Sequence, residues 1–297
     1  MRKQLQRGKE ALIHGLLLLS ALVSVVTTLG IVIVLVHQSI PLFRVVSPWD
    51  FFTGTRWAPL LEPRSYGVVP LVAGTIQIAA GALLIAVPVG LCTAIYLSEY
   101  APGWVRQILK PFLEILAGIP TVVYGYFALV FITPEVLRRF FPQTEVFNAA
   151  SAAIVVGIMI IPTISSLCDD AFRAVPNSLR EAAYAVSATK LEVSTRIVLP
   201  AAMSGVVAAV LLALARAIGE TMAVVLAAGM TPKLTWNPLE SLQTMTAYIV
   251  QVSLGDTPAG TIEYHTIFAV GLTLFAITLA VNIVAQRVLK RFREVYE

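Results

Sequence analysis

The chain has 297 residues, of which 58% are hydrophobic and 13% charged, against roughly 45–50% and about 25% in soluble domains. With a mean hydropathy of +0.83, this composition excludes both a soluble domain and a disordered chain, which needs few apolar groups and high net charge. The 21 Lys and Arg against 17 Asp and Glu leave a formal charge of +4, which in a membrane protein is an orientation signal and not a nucleic-acid footprint.

Taken in chain order, six apolar runs are long enough to cross about 30 Å of hydrocarbon as helices, which takes roughly 20 residues each. They lie at approximately 12–36, 68–97, 112–132, 149–168, 201–230 and 266–286. Only helices and closed barrels satisfy backbone polar groups in lipid, and these runs are continuous where barrel strands alternate. The first is longer than a signal-peptide core and no small-residue cleavage site follows it, so a retained helix is expected. The fold class is therefore an all-α integral membrane protein with six transmembrane helices. Residues 1–67 supply the N-terminal tail, the first helix and an outer loop; residues 68–297 form a core unit with five helices.

Between the first two spans, residues 37–67 carry Trp49, Phe51, Phe52, Trp57 and Tyr66. Such rings form an aromatic belt at the membrane surface or a docking surface for an extracytoplasmic partner, and the belt is the expected reading. Pro88, Pro120 and Pro162 fall inside the second, third and fourth spans, where each removes a backbone donor and can kink its helix. The inner loop at about 169–200 contains two strings of capping-box form, Ser178-Leu179-Arg180-Glu181 and Thr189-Lys190-Leu191-Glu192. In each, a hydroxyl and a carboxylate can accept from one another's backbone amides. Two short helices with a turn near Ser187 are predicted, the second ending before Pro200. Helices of about ten residues are marginal alone in water, so they need a membrane surface or a partner to pack on.

The fifth span contains Ala215-Arg216-Ala217-Ile218-Gly219-Glu220-Thr221-Met222. Read as one helix, it places Arg216 about 22 Å along the axis, deep in the bilayer, where a lone arginine costs about 2.5–3.5 kcal/mol on insertion scales. Glu220, four residues on, shares its helical face and offsets part of that cost by pairing. The pair either locks helix packing or marks a pathway, and intramembrane charges are functional by default. The forked donors of a guanidinium match phosphate oxygens. Gly219 permits close backbone approach, and Glu220 keeps affinity low enough for release. Arg216, Gly219, Glu220 and Thr221 are the candidate substrate path. Thr75, Gln77, Thr121, Thr163, Ser165 and Ser166 either line that path or bond across helices. The following outer loop, 231–265, holds Glu240, Asp256 and Glu263 against Lys233 alone.

Orientation follows from Lys and Arg outside the spans. Fourteen lie in the two tails and alternate loops: Arg2, Lys3, Arg7, Lys9, Arg106, Lys110, Arg173, Arg180, Lys190, Arg196, Arg287, Lys290, Arg291 and Arg293. Six lie in the others: Arg44, Arg56, Arg64, Arg138, Arg139 and Lys233. Six spans put both termini on one side, and the basic excess makes that side cytoplasmic. His14, His37 and His265 have no ligand-spaced neighbours, Cys92 and Cys168 read as small hydrophobes, and Asp169-Asp170 reads as a solvated loop start. No metal, cofactor or nucleophile–base constellation is expected.

Glu181-Ala182-Ala183, with Ile197, Leu199 and Pro200 at the expected offsets, resembles the E-A-A motif of ABC importer permease subunits; Ser187 stands where that family has glycine. The segment 215–224 resembles the signature of phosphate importer permeases of the PstC type. Phe51 to Trp57, Tyr66-Gly67 with Gly74-Thr75, Ala94 to Tyr100 and Leu116 to Gly125 match as well. The resemblance implies a type I importer permease of MetI-like architecture in the bacterial inner membrane. Its expected partners are a second phosphate permease subunit, two ATP-binding subunits and an extracytoplasmic phosphate-binding protein, with no nucleic acid. Glu181, Ala182, Ala183, Ser187, Ile197, Leu199 and Pro200 would couple the chain to the ATPase. The chain has no G-x-x-x-x-G-K-[ST] phosphate loop, so hydrolysis is expected in a separate subunit. Sulfate and molybdate permeases carry a similar Arg-Ala-x-Gly-Glu core; one of these, or a phosphate-sensing signalling component, is the alternative.

Overall fold

The computed structural model describes residues 2–255 and 257–292; Asp256 and Arg293, used above, lie outside them. α1 (Arg2–Val45) leads to a short α2 (Pro48–Thr53) and a two-stranded antiparallel ribbon. In the ribbon β1 (Trp57–Ala58) pairs with β2 (Ser65–Tyr66), Trp57 opposite Tyr66. α3 (Val69–Ile95) ends in a π-helical turn, Tyr96–Tyr100. Next come α4 (Gly103–Ala117) and α5 (Thr121–Phe127), which continues through a π-helical stretch, Ala128–Leu137, into α6 (Arg138–Phe140). α7 (Ala149–Ala174) is followed by α8 (Asn177–Ala185), α9 (Lys190–Glu192), a π-helical Val193–Val198 and α10 (Leu199–Ala201). α11 (Met203–Ile218), α12 (Met222–Ala228), α13 (Met245–Leu254) and α14 (Ile262–Phe292) complete the chain.

Among the described residues five helices are long and apolar enough to cross a membrane, or six if the segments 190–201 and 203–218, bent by 72°, count as one span. α3 and α7 form the packing centre, and α11 and α12 lie against α7. A Cβ on Gly90 of α3 would stand 2.7 Å from Ile164 Cγ2 of α7, so the two axes approach as closely as they do because a side chain is missing there. Pro88 and Pro162 sit inside these helices without ending them. None of the most apolar stretch of α1 is buried. Such a surface carries no hydrophobic penalty in lipid, and α1 is held at its far end, where His265 Nδ1 of α14 lies 2.9 Å from Gln38 O.

Two expected spans are redrawn. The third begins at Thr121 and runs to Phe140, not from 112, because the chain breaks at Gly118-Ile119-Pro120. Proline disfavours helical backbone in the residue before it, and Pro120 itself has non-helical backbone as the N-cap of α5. Residues 103–117 become α4, an amphipathic helix with no buried residue. The fifth run, read above as one helix over 201–230, is split at Gly219-Glu220-Thr221 between α11 and α12.

The aromatic residues between α1 and α3 divide between a packed core and the surface. Phe51 and Trp57 are 0% and 1% exposed, with Phe51 edge-on to Trp57 and Trp57 edge-on to Tyr248 of α13 at 4.9 Å between centroids. With Leu42, Leu71 and Met245 they make a second core, while Trp49 and Phe52 stay exposed. Glycines close this unit: a Cβ on Gly67 would fall 2.3 Å from Gly54 C and O, a contact only glycine allows.

Candidate functional site

The break in the fifth span separates the two charges that a continuous helix would have paired. Arg216 sits in the last turn of α11, where a cation complements the partial negative charge of the helix end. Its Nη1 donates to Thr163 Oγ1 of α7 at 3.0 Å. Glu220 is 9% exposed and does not reach the guanidinium; its Oε1 accepts from Ala223 N at the start of α12 at 3.1 Å, where an anion is favoured. The expected i, i+4 pair is therefore replaced by two charges at complementary ends of two helices. The break is held by Thr246 Oγ1 of α13, which donates to Glu220 O at 2.8 Å, and by Thr221 Oγ1, which donates to Gly219 O at 3.2 Å. Irregular backbone at membrane depth is tolerated where such partners satisfy it.

Arg216 and Gly219 are exposed on the face of the chain and Thr221 is half-buried. Among the described residues, Arg216 makes one hydrogen bond and no ion pair, leaving forked donors on that face for an anion. Of the polar groups left open by the sequence, Thr163 joins this site. Thr75 bonds across helices, accepting from Met245 N at 3.1 Å, Gln77 donates to Trp236 O at 3.3 Å, and Ser165 is buried without a partner among the described residues. Thr246 was not singled out by sequence; it lies in a segment that reads as loop, and the only local signal is the Thr-Met-Thr spacing ahead of an apolar helix.

The E-A-A segment forms a helical hairpin. α8 presents Glu181 and Ala182 outward and buries Ala183, which packs with Val193, Val198, Ile197 and Leu199. Val186 and Leu191 are 78% and 63% exposed, so the hairpin carries an uncovered apolar rim beside Glu181. Ser187 adopts φ 59°. Ala188 N donates to Ala183 O and Ser187 N to Tyr184 O, at 3.2 and 2.9 Å, the pattern of a Schellman helix end. Serine thus takes the left-handed backbone that glycine reaches more cheaply. The Thr189–Glu192 capping box is present. The one expected at Ser178 is absent, because α8 starts at Asn177 and a hydroxyl already inside a helix cannot cap it. The second helix also does not stop before Pro200: helical backbone continues through the π-helical Val193–Val198 to Ala201, and the 72° bend into α11 follows directly after it.

The acidic pair Asp169-Asp170 is no solvated loop start. Asp169 is fully buried at the end of α7, 2.8 Å from Arg106 Nη2, and Asp170 receives Lys110 Nζ at 2.9 Å. That hydrogen bond to Asp170 raises the Lys110 ammonium above its ordinary value, against the lowering effect of burial. Among the described residues no three His, Cys, Asp or Glu side chains converge as a metal site.

The structure thus brings together a helix break beside an uncovered guanidinium and, apart from it, a helical hairpin carrying E-A-A. A family model described as the binding-protein-dependent transport system inner membrane component matches residues 86–294. The chain belongs to this family of multi-pass ABC importer permease subunits. The phosphate transport system permease protein PstC of Xylella fastidiosa is 36% identical over 261 residues, 82% of this chain and 79% of that protein. The probable ABC transporter permease protein YqgH of Bacillus subtilis is 35% identical over 260 residues, 87% of this chain and 84% of its own length. Among solved structures, an inward-facing MetNI methionine ABC transporter superposes with a TM-score of 0.58 at 18% identity, over 79% of this chain and 100% of that one. A bacterial ABC transporter for the acidic polysaccharide alginate gives 0.58 at 15%, over 76% and 80%. These structures establish the MetI-like fold.

Proposed function

We propose that the chain is the transmembrane permease subunit of an ATP-driven phosphate importer in the bacterial inner membrane. It pairs with a second phosphate permease so that the face bearing Arg216 lines a path between them. An extracytoplasmic phosphate-binding protein delivers the anion, and two ATP-binding subunits, docked on the hairpin through Glu181 and the apolar rim, drive alternation between outward- and inward-facing states. The reading takes α11 with α12 as the fifth of six spans and places both termini in the cytoplasm. The observation that carries it is Arg216, held by Thr163 at a helix break with its remaining donors uncovered, in a chain that is 36% identical to a phosphate permease. Guanidinium donors match phosphate oxygens two at a time, and the neighbouring Glu220 carboxylate limits how tightly an anion is held.

In vesicles containing the co-expressed importer, Arg216→Ala abolishes phosphate uptake while the ATPase and binding-protein subunits still co-purify. Undiminished uptake by that variant removes the site. Uptake of sulfate or molybdate in place of phosphate by the unsubstituted complex moves the chain to the rival substrate class.

A further inference from the structure

Arg180, the residue before the E-A-A string, makes the most extensive set of side-chain polar contacts among the described residues. Arg180 of α8 is 15% exposed and Glu99, in the π-helical turn that ends α3, is 6% exposed. Arg180 Nη2 donates to Glu99 Oε1 at 2.9 Å and to Phe172 O at 2.7 Å, and Nη1 donates to Val175 O at 2.7 Å. Nε lies 3.3 and 3.4 Å from the two Glu99 oxygens. One guanidinium therefore grips the ends of both α3 and α7. A second clasp comes from the other arm of the hairpin: Lys190 Nζ stands 4.8 Å from the centre of the Tyr100 ring, in the same π-helical turn.

We propose that Arg180 is a positioning residue that makes the E-A-A helix rigid with α3 and α7, so that movement imposed on α8 is delivered to the Arg216 site; this rests on the reading that an ATP-binding subunit docks on α8. A helix of nine residues is marginal by itself, so its attachments decide what it moves with. A planar fork with five donors spread over three nitrogens reaches three separated acceptor groups in one fixed geometry, whereas a lysine gathers its three donors at a single nitrogen on a flexible stem. The two gripped helices both pack against α11, which carries Arg216. α7 carries Thr163, which holds Arg216. α3 carries Thr75, which accepts from Met245 N, and the adjoining Thr246 holds the Glu220 carbonyl. The turn Tyr96–Tyr100 is π-helical, a form that concentrates at functional sites.

The test uses the full importer in membranes, with Cys92 and Cys168 replaced by Ala and a reporter cysteine introduced as Leu212→Cys. Leu212 is 55% exposed and one turn from Arg216 on the same face of α11. Its reactivity towards an impermeant thiol reagent is measured with and without ATP and vanadate, and ATP hydrolysis is measured in parallel, so neither readout depends on which anion is carried. The parent changes reactivity with nucleotide state. In Glu99→Gln and Arg180→Gln the ATP-binding subunits still co-purify and hydrolyse ATP, but the nucleotide-dependent change falls by about tenfold, the size of one ordinary coupling free energy. Arg180→Lys, which keeps the charge and loses the fork, is intermediate. Parent-like switching in Glu99→Gln overturns the proposal, as does loss of co-purification and hydrolysis together, which would make the contact one of assembly. A parent that never switches defeats the alternating-access reading itself and is told apart by that control.

Discussion

Arg216 Nη1 donates to Thr163 Oγ1 across 3.0 Å from α11 to α7, while the Glu220 carboxylate, four positions on, is turned away to cap the next helix through Ala223 N. The guanidinium is thus oriented by a neutral hydroxyl and keeps its full charge for an anion. A salt bridge in the same place would compete with the ligand.

The Thr163 hydroxyl should therefore matter to anion binding and not to assembly. Thr163→Val keeps the shape and removes the acceptor, and a solvent-facing hydrogen bond of this kind contributes about 1 kcal/mol. The expected result in vesicles is a rise in KM of about fivefold with the complex intact, and Thr163→Ser restores the parent value. An unchanged KM in the valine variant would show that the hydroxyl does not orient the site.

At the hairpin turn Ser187 holds φ 59°, a backbone region that costs a side-chain-bearing residue about 1–2 kcal/mol. Ser187→Gly should slow amide hydrogen exchange in α8 relative to the parent. Ser187→Val should speed it, since a β-branched residue is an outlier there. The opposite order would mean that the turn differs in the assembled importer.

The loop between α12 and α13 supplies a pH dependence. Lys233, Asn237 and Thr235 hold the Glu240 carboxyl below its ordinary value of 4.5, the Lys233 hydrogen bond contributing most, and the same contact raises Lys233. A carboxyl lowered in the folded state stabilises the loop fully above 4.5, and that contribution is lost as pH falls through the lowered value. Hydrogen exchange in residues 231–241, corrected for its intrinsic pH dependence, should lose protection on acidification below 4.5. Glu240→Gln should remove the pH-dependent part, and high salt should weaken it.

Labelling tests the orientation. In a background without Cys92 and Cys168, Leu60→Cys in the outer loop reacts with an impermeant thiol reagent applied to whole cells, whereas Glu192→Cys in the hairpin reacts only after the membrane is opened. The reverse pattern inverts the whole topology.

Much of the membrane architecture is legible along the chain because lipid selects composition locally: a run of about 20 apolar residues makes a span whatever its neighbours are. For the same reason Arg216 stands out, being a charge in such a run, and the E-A-A string is readable as contiguous residues with fixed spacing. The break before α5 has a local mark in Gly118-Ile119-Pro120, but the apolar run continues across it, so hydropathy starts the span at 112 and leaves Pro120 as a kink inside it. The break at Gly219 has no such local mark. Glycine and small residues occur freely inside membrane helices, and nothing near 219 announces that Thr246 of a later helix takes the Glu220 carbonyl.

The outer aromatic residues make the same point from another side. Phe51 and Phe52 are adjacent and chemically identical, yet one is 0% and the other 54% exposed, because only one of two neighbouring faces can meet Trp57. The chain by itself determined that this protein lives in a membrane and where its charges and short motifs fall, since those follow from composition and short-range order. Tertiary structure alone decided that Arg216 leans on Thr163, that Asp169 is buried on Arg106 and that Arg180 clasps Glu99, partners 53, 63 and 81 positions apart. A hydrogen bond needs its two atoms within about 3 Å, and which distant residues meet at that range is set by how the helices pack.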